Sequence, residues 1–404
     1  MRKKSNFSLF GSFCIFTITA INQVMYFLFP ICACLLFIMS CSKTEYKMER
    51  HISEIVKIDP SQEDVPLQEN NYVIDSIRAL HLPENVEYVS VDKFIVQNNR
   101  IYIMDSEVNK TVFVFDNNGN YLYKLGERGR AKHEYIYGPT DFFVDKMENV
   151  HVFDKTGQKV LAFDKRGKIF RAVNTHAFFP VSFGITSNNR YAYCMEGGEE
   201  EEPSMLMCDW DFSDTKAVLP NAGHFVLVPN PNTFFLNDDL LSYIPLLSDS
   251  VLVYRDDTLE KVVRFDFGRK FLRNEIPEAA YDIRTNIKGY KGVLALYSYQ
   301  ETDSLILLEY LYKDTVCRWL FNKNTKQSFS SYNLFEGANP ATMYYLRGKQ
   351  MIGLVRQDVM EDYRKVALKK DKYYLKHLER TPQPIRDVMD EKVKAPLVIY
   401  FSIK

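Results

Sequence analysis

The sequence Arg100-Ile-Tyr-Ile-Met-Asp105, followed by Val112-Phe-Val-Phe-Asp116 and the turn Asn117-Asn118-Gly119, decides the fold because it is repeated. The pattern returns as Asn149-Val-His-Val-Phe-Asp154, then Val160-Leu-Ala-Phe-Asp164 and Lys165-Arg166-Gly167. Asp116 and Asp164 lie 48 residues apart, as do Gly119 and Gly167. A repeat of about 40 to 50 residues built from short strands is typical of β-propeller blades. The sequence therefore predicts an all-β propeller.

Each repeat divides into four runs of β-branched and aromatic residues, which are separated by turns rich in Asn, Asp and Gly. Such runs form the antiparallel strands of one blade, and the Gly of the turn can adopt a positive φ without steric cost. The predicted strands are 92–97, 100–105, 111–116 and 120–125 in blade one, and 140–145, 149–154, 159–164 and 167–173 in blade two. Blades three, four and five are predicted within 181–219, 233–267 and 293–332, with a helical or irregular insertion at 269–288.

The sixth blade is predicted to combine both ends of the folded region. Residues 343–346 and 351–356 form two strands, and 359–380 carries apolar residues at helical spacing, which indicates a short helical insertion. The apolar segment Pro396–Ile403 is strand-like. Because an open ring leaves two unpaired strand edges, we expect this segment to pair with Val73–Leu82, a velcro closure of the six-bladed ring.

The N-terminus has the features of an export signal. Positive charge at residues 2–4 precedes a run, residues 5–42, without any charged residue, and Ile38-Met39-Ser40-Cys41 resembles the lipobox of bacterial lipoproteins. The resemblance implies cleavage before Cys41 and acylation of its thiol. The alternative is an uncleaved membrane anchor, since the apolar run is about twice the usual length of a signal and is long enough to span a bilayer.

These features predict three regions: a lipoprotein signal peptide over residues 1–40, a polar tether over 41–70, and the six-bladed propeller over 71–404. The tether is expected because residues 42–70 carry mixed charge and few apolar side chains. The predicted location is the bacterial cell envelope. There the lipid anchor makes a membrane the first partner, with the outer membrane favoured and the propeller facing the periplasm or the exterior.

The overall composition argues against several classes of protein. The chain has 51 basic and 52 acidic residues, a net charge of −1, so we expect no nucleic-acid partner. No phosphate-binding loop, dinucleotide fingerprint or nucleophile elbow occurs in the sequence. We therefore assign no catalytic residue and expect no cofactor.

No metal site is predicted either. The seven histidines are dispersed, and no pair has the spacing of metal ligands. The segment Asp116–Asn120 resembles a calcium loop only in its first residues, and a hairpin turn is the favoured interpretation. The acidic run Glu199–Glu202 is interpreted as a solvated hairpin tip.

Two cysteines, Cys194 and Cys208, flank the predicted turn Gly197–Pro203. Opposed residues of an antiparallel pair can be close enough for a disulfide, and an exported location would permit oxidation. The first interpretation is therefore a disulfide between Cys194 and Cys208. The alternative is two free cysteines packed as small hydrophobic residues.

A family resemblance lies in Leu125-Gly-Glu-Arg-Gly129, His133-Glu-Tyr135 and Gly138-Pro-Thr-Asp-Phe-Phe-Val-Asp145, followed by Val150-His-Val-Phe-Asp154. This arrangement is similar to an NHL-type repeat. From about residue 72 onward the chain resembles the six-bladed β-propeller lipoproteins of bacteria. It departs from their usual pattern at Arg130-Ala131-Lys132, where Gly and Pro are typical. The resemblance implies the fold, and most members of that group have no assigned function.

The segment Gly126–Pro139 is the candidate ligand-binding loop. In a propeller the chain crosses here from the outer strand of one blade to the inner strand of the next, near the mouth of the channel. Arg128, Arg130 and His133 supply positive or polar groups, and Tyr135 supplies a stacking surface. We expect an anionic or carbohydrate-like ligand there; the alternative is a solvated crossover without a ligand.

The function predicted from the sequence is a binding or scaffolding module whose ligand is a small molecule, a glycan or a protein. The alternative, implied by the NHL resemblance, is an extracytoplasmic hydrolase or lyase with a metal site at the channel mouth. The two differ in whether three or more His, Asp or Glu side chains converge there.

Overall fold

The computed structural model describes residues 52–404 except 62–64, 176–179, 196–202, 220–231, 246–247, 272–290, 314, 338, 370–371 and 391–394. Its strands form six antiparallel blades around a central channel, which confirms the predicted six-bladed β-propeller. Cys41, His176, His224, Glu199–Glu202 and most of the 269–288 insertion lie outside the described residues.

The first three blades follow the chain in order, each from the inner strand to the outer strand. Before them come two N-terminal strands, β1 (Ile52–Lys57) and β2 (Tyr72–Ala79). Blade one consists of β3 (Lys93–Gln97), β4 (Arg100–Asp105), β5 (Thr111–Asp116) and β6 (Tyr121–Leu125); blade two of β7 (Asp141–Val144), β8 (Val150–Asp154), β9 (Lys159–Phe163) and β10 (Ile169–Asn174); blade three of β11 (Pro180–Ile185), β12 (Tyr191–Met195), β13 (Met205–Cys208) and β14 (Thr215–Leu219).

The last three blades use the same order and add the helices. Blade four consists of β15 (Phe234–Asn237), β16 (Leu240–Tyr243), β17 (Ser250–Arg255) and β18 (Thr258–Asp266); blade five of β19 (Val293–Glu301), β20 (Leu305–Tyr312), β21 (Thr315–Asn322) and β22 (Gln327–Ser331); blade six of β23 (Met343–Arg347), β24 (Gln350–Val355) and β25 (Leu397–Ile403), with α1 (Gln357–Leu368), α2 (Lys372–Glu379) and α3 (Gln383–Asp390) between β24 and β25. Two short 3₁₀ turns lie at Glu69–Asn71 and Gly268–Lys270. No helix within these described ranges is long and apolar enough to cross a membrane.

The two faces of the propeller differ in their connections. The crossover face, represented by residues 126–140, carries the loops that lead from the outer strand of one blade to the inner strand of the next. The hairpin face, represented by the Asn98–Asn99 turn, carries the turns between first and second strands. The helices leave the end of β24 and therefore belong to the crossover face.

The predicted velcro closure is confirmed. Strand β25 pairs antiparallel with β24 on one side and with β2 on the other, from Tyr72 opposite Ile403 to Ala79 opposite Leu397. The N-terminal strand is thus the outermost strand of the sixth blade. Blade six has one strand from the N-terminal region and three from the C-terminal region, which leaves neither edge of the ring closure unpaired.

The tether prediction over 41–70 is wrong for its described second half. Strand β1 pairs parallel with β18 and adds a fifth strand to blade four. Val65 then exchanges backbone hydrogen bonds with Ser330 of blade five, at 2.8 and 3.0 Å. The segment is polar because one side faces solvent, and both its backbone hydrogen bonds and its buried side chains Ile58 and Leu67 attach it to the sheets.

Candidate functional site

A cavity of 570 Å³ opens within the channel towards the crossover face. The inner strands of blades one, two, four, five and six supply its walls, and Arg356, at the end of β24, lies on its rim. A volume of several hundred Å³ is typical of sites that enclose a small molecule. This cavity is the candidate functional site.

A buried ion pair stands on one wall of the cavity. Lys93, the first residue of β3, places its Nζ 2.7 Å from Asp141 Oδ1 of the neighbouring blade, and both side chains are almost fully buried. The other carboxylate oxygen of Asp141 accepts a hydrogen bond from the backbone N–H of Phe183 in blade three. Asp141 therefore links three successive inner strands, and the Lys93 ammonium keeps two N–H groups beyond this bond.

A row of polar residues crosses blade five and forms the opposite wall. Ser298 on β19 lies opposite Glu309 on β20, Glu309 opposite Arg318 on β21, and Arg318 opposite Ser331 on β22. Directly opposed residues point to the same side of a sheet, so this row faces one neighbouring blade. Its contacts with Tyr344 identify that neighbour as blade six.

Each of the three guanidinium nitrogens of Arg318 donates a hydrogen bond. Its Nε donates to Glu309 Oε1 at 2.9 Å, and its two terminal nitrogens donate to the backbone carbonyls of Tyr332 and Thr342, each at 2.9 Å. The guanidinium also lies 5.3 Å from the ring centroid of Tyr344. Arg318 therefore holds Glu309 in place and joins blade five to blade six.

Three polar groups of the cavity wall keep unfilled hydrogen-bonding capacity, and one of them is the Thr342 hydroxyl, which is buried without a partner in the described part of the chain. Ser298 is 2% exposed, yet its hydroxyl has no hydrogen-bond partner among the described residues. Glu309 is 8% exposed and uses Oε1 for Arg318, while its Oε2 has no partner in the described part of the chain. Polar groups that are buried in this way normally have partners. Because these side chains lie on the cavity wall, a ligand in the cavity can supply the missing hydrogen-bond partners.

Burial also changes the acidity of the two cavity carboxyls. Desolvation raises the pKa of Asp141, and the neighbouring Lys93 ammonium acts in the opposite direction. Desolvation likewise raises the pKa of Glu309, and the Arg318 guanidinium opposes it. Both acids therefore depend on their cationic partners to remain ionised inside the protein.

Aromatic side chains supply the apolar part of the lining. The rings of Phe235 and Tyr345 meet edge to face with centroids 5.6 Å apart, and Tyr297 lies on the wall of blade five. Phe235 and Tyr345 also border a second cavity of 690 Å³, which opens on the hairpin face beside Asp238 and Arg347. This aromatic pair therefore lies where the two cavities adjoin.

The candidate loop from the sequence lies elsewhere on the crossover face. Arg128, Arg130 and His133 are exposed, and none of them lines the cavity. The stacking role predicted for Tyr135 is wrong, because its side chain is fully buried and its hydroxyl donates to the backbone carbonyl of Leu125 at 2.7 Å. Tyr135 fixes the shape of the loop. A ligand-binding role for the three exposed residues stays a prediction.

The predicted disulfide is also wrong. The hairpin exists, but Cys194 lies opposite Met205, and Cys208 lies opposite Tyr191. Both cysteines are buried and free. The prediction placed the centre of the hairpin so that the two cysteines faced each other. The observed register places each cysteine opposite a different residue, so the alternative of two free cysteines applies. Burial raises the pKa of both thiols, to about 12 for Cys208.

One histidine is part of a buried hydrogen-bonded chain. His151 Nδ1 lies 2.9 Å from the Tyr191 hydroxyl, and its Nε2 lies 3.2 Å from Asp145 Oδ2. The chain joins blade two to blade three away from the cavity. Within the described ranges, no group of three or more His, Cys, Asp or Glu side chains is arranged to hold a metal ion.

The sequence did contain a signal for the polar row. Glu309 stands within Leu305–Tyr312, a strand that is otherwise uncharged and mostly aliphatic, and a charged residue inside such a strand is rarely buried without a partner. The partners Ser298 and Arg318 could not be identified, because strand register was not known. Lys93 lies near the start of the predicted strand 92–97, where a lysine gives no sign in the sequence that it will be buried.

Comparison with known proteins agrees with this architecture. A protein from Bacteroides fragilis, described as exported, has 13% sequence identity and a TM-score of 0.71, over 87% of this chain and 99% of that one. A member of the DUF4221 family from Bacteroides vulgatus has 11% identity and a TM-score of 0.46, over 83% and 99% of the two chains. No curated protein sequence matches significantly. The first similarity shows a shared propeller fold.

The family assignment rests on the sequence of the propeller itself. Residues 54–384 match the model of a domain of unknown function, DUF4934. The match begins inside β1 and ends inside α3, so it includes all six blades except the final strand. The chain therefore belongs to the DUF4934 family.

Proposed function

We propose that this protein is an extracytoplasmic, lipid-anchored β-propeller that binds a small molecule in the crossover-face cavity. The observation that carries the proposal is the unfilled hydrogen-bonding capacity of Ser298 and Glu309 in a partly aromatic cavity that is open at the crossover face. A cavity with a few oriented polar groups on a rigid scaffold is the usual form of a ligand site. The exported character of the Bacteroides fragilis protein supports the extracytoplasmic location.

The binding proposal is tested by closing the mouth of the cavity. Thr342 is half-buried on its wall, and Thr342→Trp would fill part of the opening. The full chain, purified in detergent, is screened by thermal shift against a library of small metabolites. We expect compounds that raise the Tm of the parent protein and leave Thr342→Trp unaffected.

The matched control is Thr258→Trp, which places the same ring on an exposed position of β18 outside the cavity. This variant should respond to each compound as the parent protein does. If no compound distinguishes Thr342→Trp from Thr258→Trp, the cavity is not the binding site.

The anchor proposal is tested at Cys41. The uncharged run that ends in Ile38-Met39-Ser40-Cys41 predicts a mature N-terminus at an acylated Cys41. Mass spectrometry of the membrane fraction should detect it, and Cys41→Ser should abolish both processing and acylation. A Cys41→Ser protein that is still cleaved and membrane-bound would contradict the anchor, whereas the cavity could bind its ligand in either case.

A further inference from the structure

We propose that the ligand of the crossover-face cavity is an uncharged, polyhydroxylated molecule, a sugar of one or two rings, with hydroxyls against Ser298, Glu309 and Lys93. The inference rests on the proposed function and specifies its ligand class. It depends on three observations: the charge balance of the cavity, the kind of hydrogen-bonding capacity that is left, and the spacing of the groups that carry it.

The buried charges of the cavity cancel in pairs. Lys93 is paired with Asp141 at 2.7 Å, and Arg318 with Glu309 at 2.9 Å. Arg356 on the rim is likewise paired with Asp358. Removing a net charge from water into such a site, where the buried charges are already paired with one another, costs several kcal/mol. The cavity therefore favours an uncharged ligand.

The rim contains one further acid. Asp92 lines the mouth, where it is half-buried, and its Oδ2 accepts hydrogen bonds from the backbone N–H and the hydroxyl of Ser106, both at 2.7 Å. These two bonds occupy the oxygen. The carboxylate at the mouth also disfavours an anionic ligand.

The remaining capacity includes both donors and acceptors, with the Lys93 donors on one wall of the cavity and the Ser298 and Glu309 groups next to each other on the opposite wall. The Lys93 ammonium offers N–H donors, Glu309 Oε2 offers an acceptor, and the Ser298 hydroxyl offers both. A ligand group that matches all three must itself donate and accept. A hydroxyl does so at a single atom, so several hydroxyls on one small ring satisfy the wall without any charge.

The spacing favours neighbouring hydroxyls. Ser298 and Glu309 are opposed across β19 and β20, so their side chains are adjacent on the same side of the sheet. Two adjacent hydroxyls of a sugar ring present the same close spacing. Phe235 and Tyr345 add an apolar surface that suits the C–H face of such a ring.

The experiment is isothermal titration of the full chain in detergent. The neutral probes are glucose, galactose, mannose, maltose, cellobiose and lactose; the charged probes are glucuronate and glucosamine. We expect at least one neutral sugar to bind, and both glucuronate and glucosamine to bind at least about tenfold more weakly than that sugar. A charged probe that binds as tightly as the neutral sugar overturns the inference.

Substitutions of the cavity residues test whether the sugar binds in this cavity. Ser298→Ala should weaken the neutral sugar about threefold to tenfold, the range expected for one hydrogen bond. The control Ser242→Ala removes a buried hydroxyl on β16, outside the cavity, and should leave the affinity unchanged. Glu309→Gln keeps the shape of the side chain and should also weaken binding. Sugar affinity that is the same in the parent, Ser298→Ala and Glu309→Gln proteins overturns the inference.

The outcome separates this inference from the proposed function. If no sugar of the panel binds, but library compounds of another class are lost in Thr342→Trp, the sugar assignment is wrong and the cavity remains the site. If neither sugars nor library compounds bind in a manner that depends on Thr342, both proposals fail.

Discussion

Asp105 and Asp154 occupy equivalent positions at the ends of β4 and β8, and both connect their blade to the crossover loop that precedes it. Asp105 accepts a hydrogen bond from the backbone N–H of Ser90. Asp154 accepts from the backbone N–H groups of Ile136 and Gly157, each at 2.8 Å. The strand-ending Asp of the repeat is therefore a structural residue, which explains its return at nearly constant spacing.

Replacing Asp154 by alanine should lower the stability of the folded protein. Asp154→Ala leaves two backbone N–H groups without partners in a largely buried setting, so we expect a loss of about 3 kcal/mol in the free energy of unfolding. Urea unfolding measures it. The control Asp116→Ala removes a carboxylate that also accepts backbone N–H groups, but at an exposed turn, where water replaces it. Equal losses in the two variants would contradict this account.

The buried carboxyls should affect acid stability in opposite directions. The pKa of Asp145 is lowered, because hydrogen bonds from His151 and Asn149 outweigh the effect of burial. A carboxylate with a lowered pKa stabilises the fold above its unfolded pKa, about 3.9, and this contribution is lost as the pH falls through the folded pKa. Asp145→Asn should therefore lessen the loss of stability below about pH 4.

Glu309 provides the comparison of opposite sign. Burial raises its pKa, so the folded state binds its proton more readily than the unfolded state, and stability rises as the pH falls towards the unfolded pKa, about 4.3. Glu309→Gln should remove this gain and make the acid-side loss steeper. Unfolding free energies between pH 6 and 3 measure both effects; slopes that change in the same direction would refute the assignment.

The closing strand is the element on which the ring depends. Removal of residues 396–404 leaves β2 and β24 with unpaired edges, and such edges promote aggregation. We expect the truncated protein to lose most of its stability and to elute as aggregates in size-exclusion chromatography. A monomer with unchanged thermal melting would show that the closure is dispensable.

The elements of blades one and two were predicted nearly residue by residue, because most of their strands end at an Asx turn or beside a Gly. Asp164, for example, accepts the backbone N–H groups of Arg166 and Lys168, and Gly167 has a φ of 77°. The helical insertion was predicted too short: a third helix, Gln383–Asp390, follows Pro382. Proline is compatible with the first turn of a helix, so Pro382 does not end the helical region.

The functional cavity was beyond the reach of sequence reasoning for a physical reason. Lys93 and Asp141 lie 48 residues apart, and Ser298 and Glu309 meet only through the register of β19 and β20. Repeats predict which residues occupy equivalent positions, but not which side chains of neighbouring blades come into contact. The crossover loop was predicted as the site because basic residues are concentrated there in the sequence, whereas the residues that line the cavity are polar exceptions within apolar strands.

On the scale of the whole molecule, the segment 52–81 acts as an N-terminal belt across four blades. It pairs with β18 of blade four, bridges to Ser330 of blade five, forms the outer strand of blade six and donates from the His81 N–H to Gly119 of blade one. The belt therefore couples blades that are distant in sequence. Its first described residue, Ile52, pairs with blade four.

The belt should contribute to global stability even where its sequence is polar. Leu67 is fully buried in the core between blades five and six, whereas Val65, two residues before it, is 52% exposed. Leu67→Ala should lower the free energy of unfolding by about 2 to 5 kcal/mol, since it creates a cavity in packed surroundings. Val65→Ala should change it by less than about 0.5 kcal/mol. Urea unfolding of both variants gives the test.

Because the belt joins four blades, Leu67→Ala should shift a single cooperative transition. A separate early transition, with the remainder of the ring unaffected, would show that the belt is only attached to the propeller and does not hold it together.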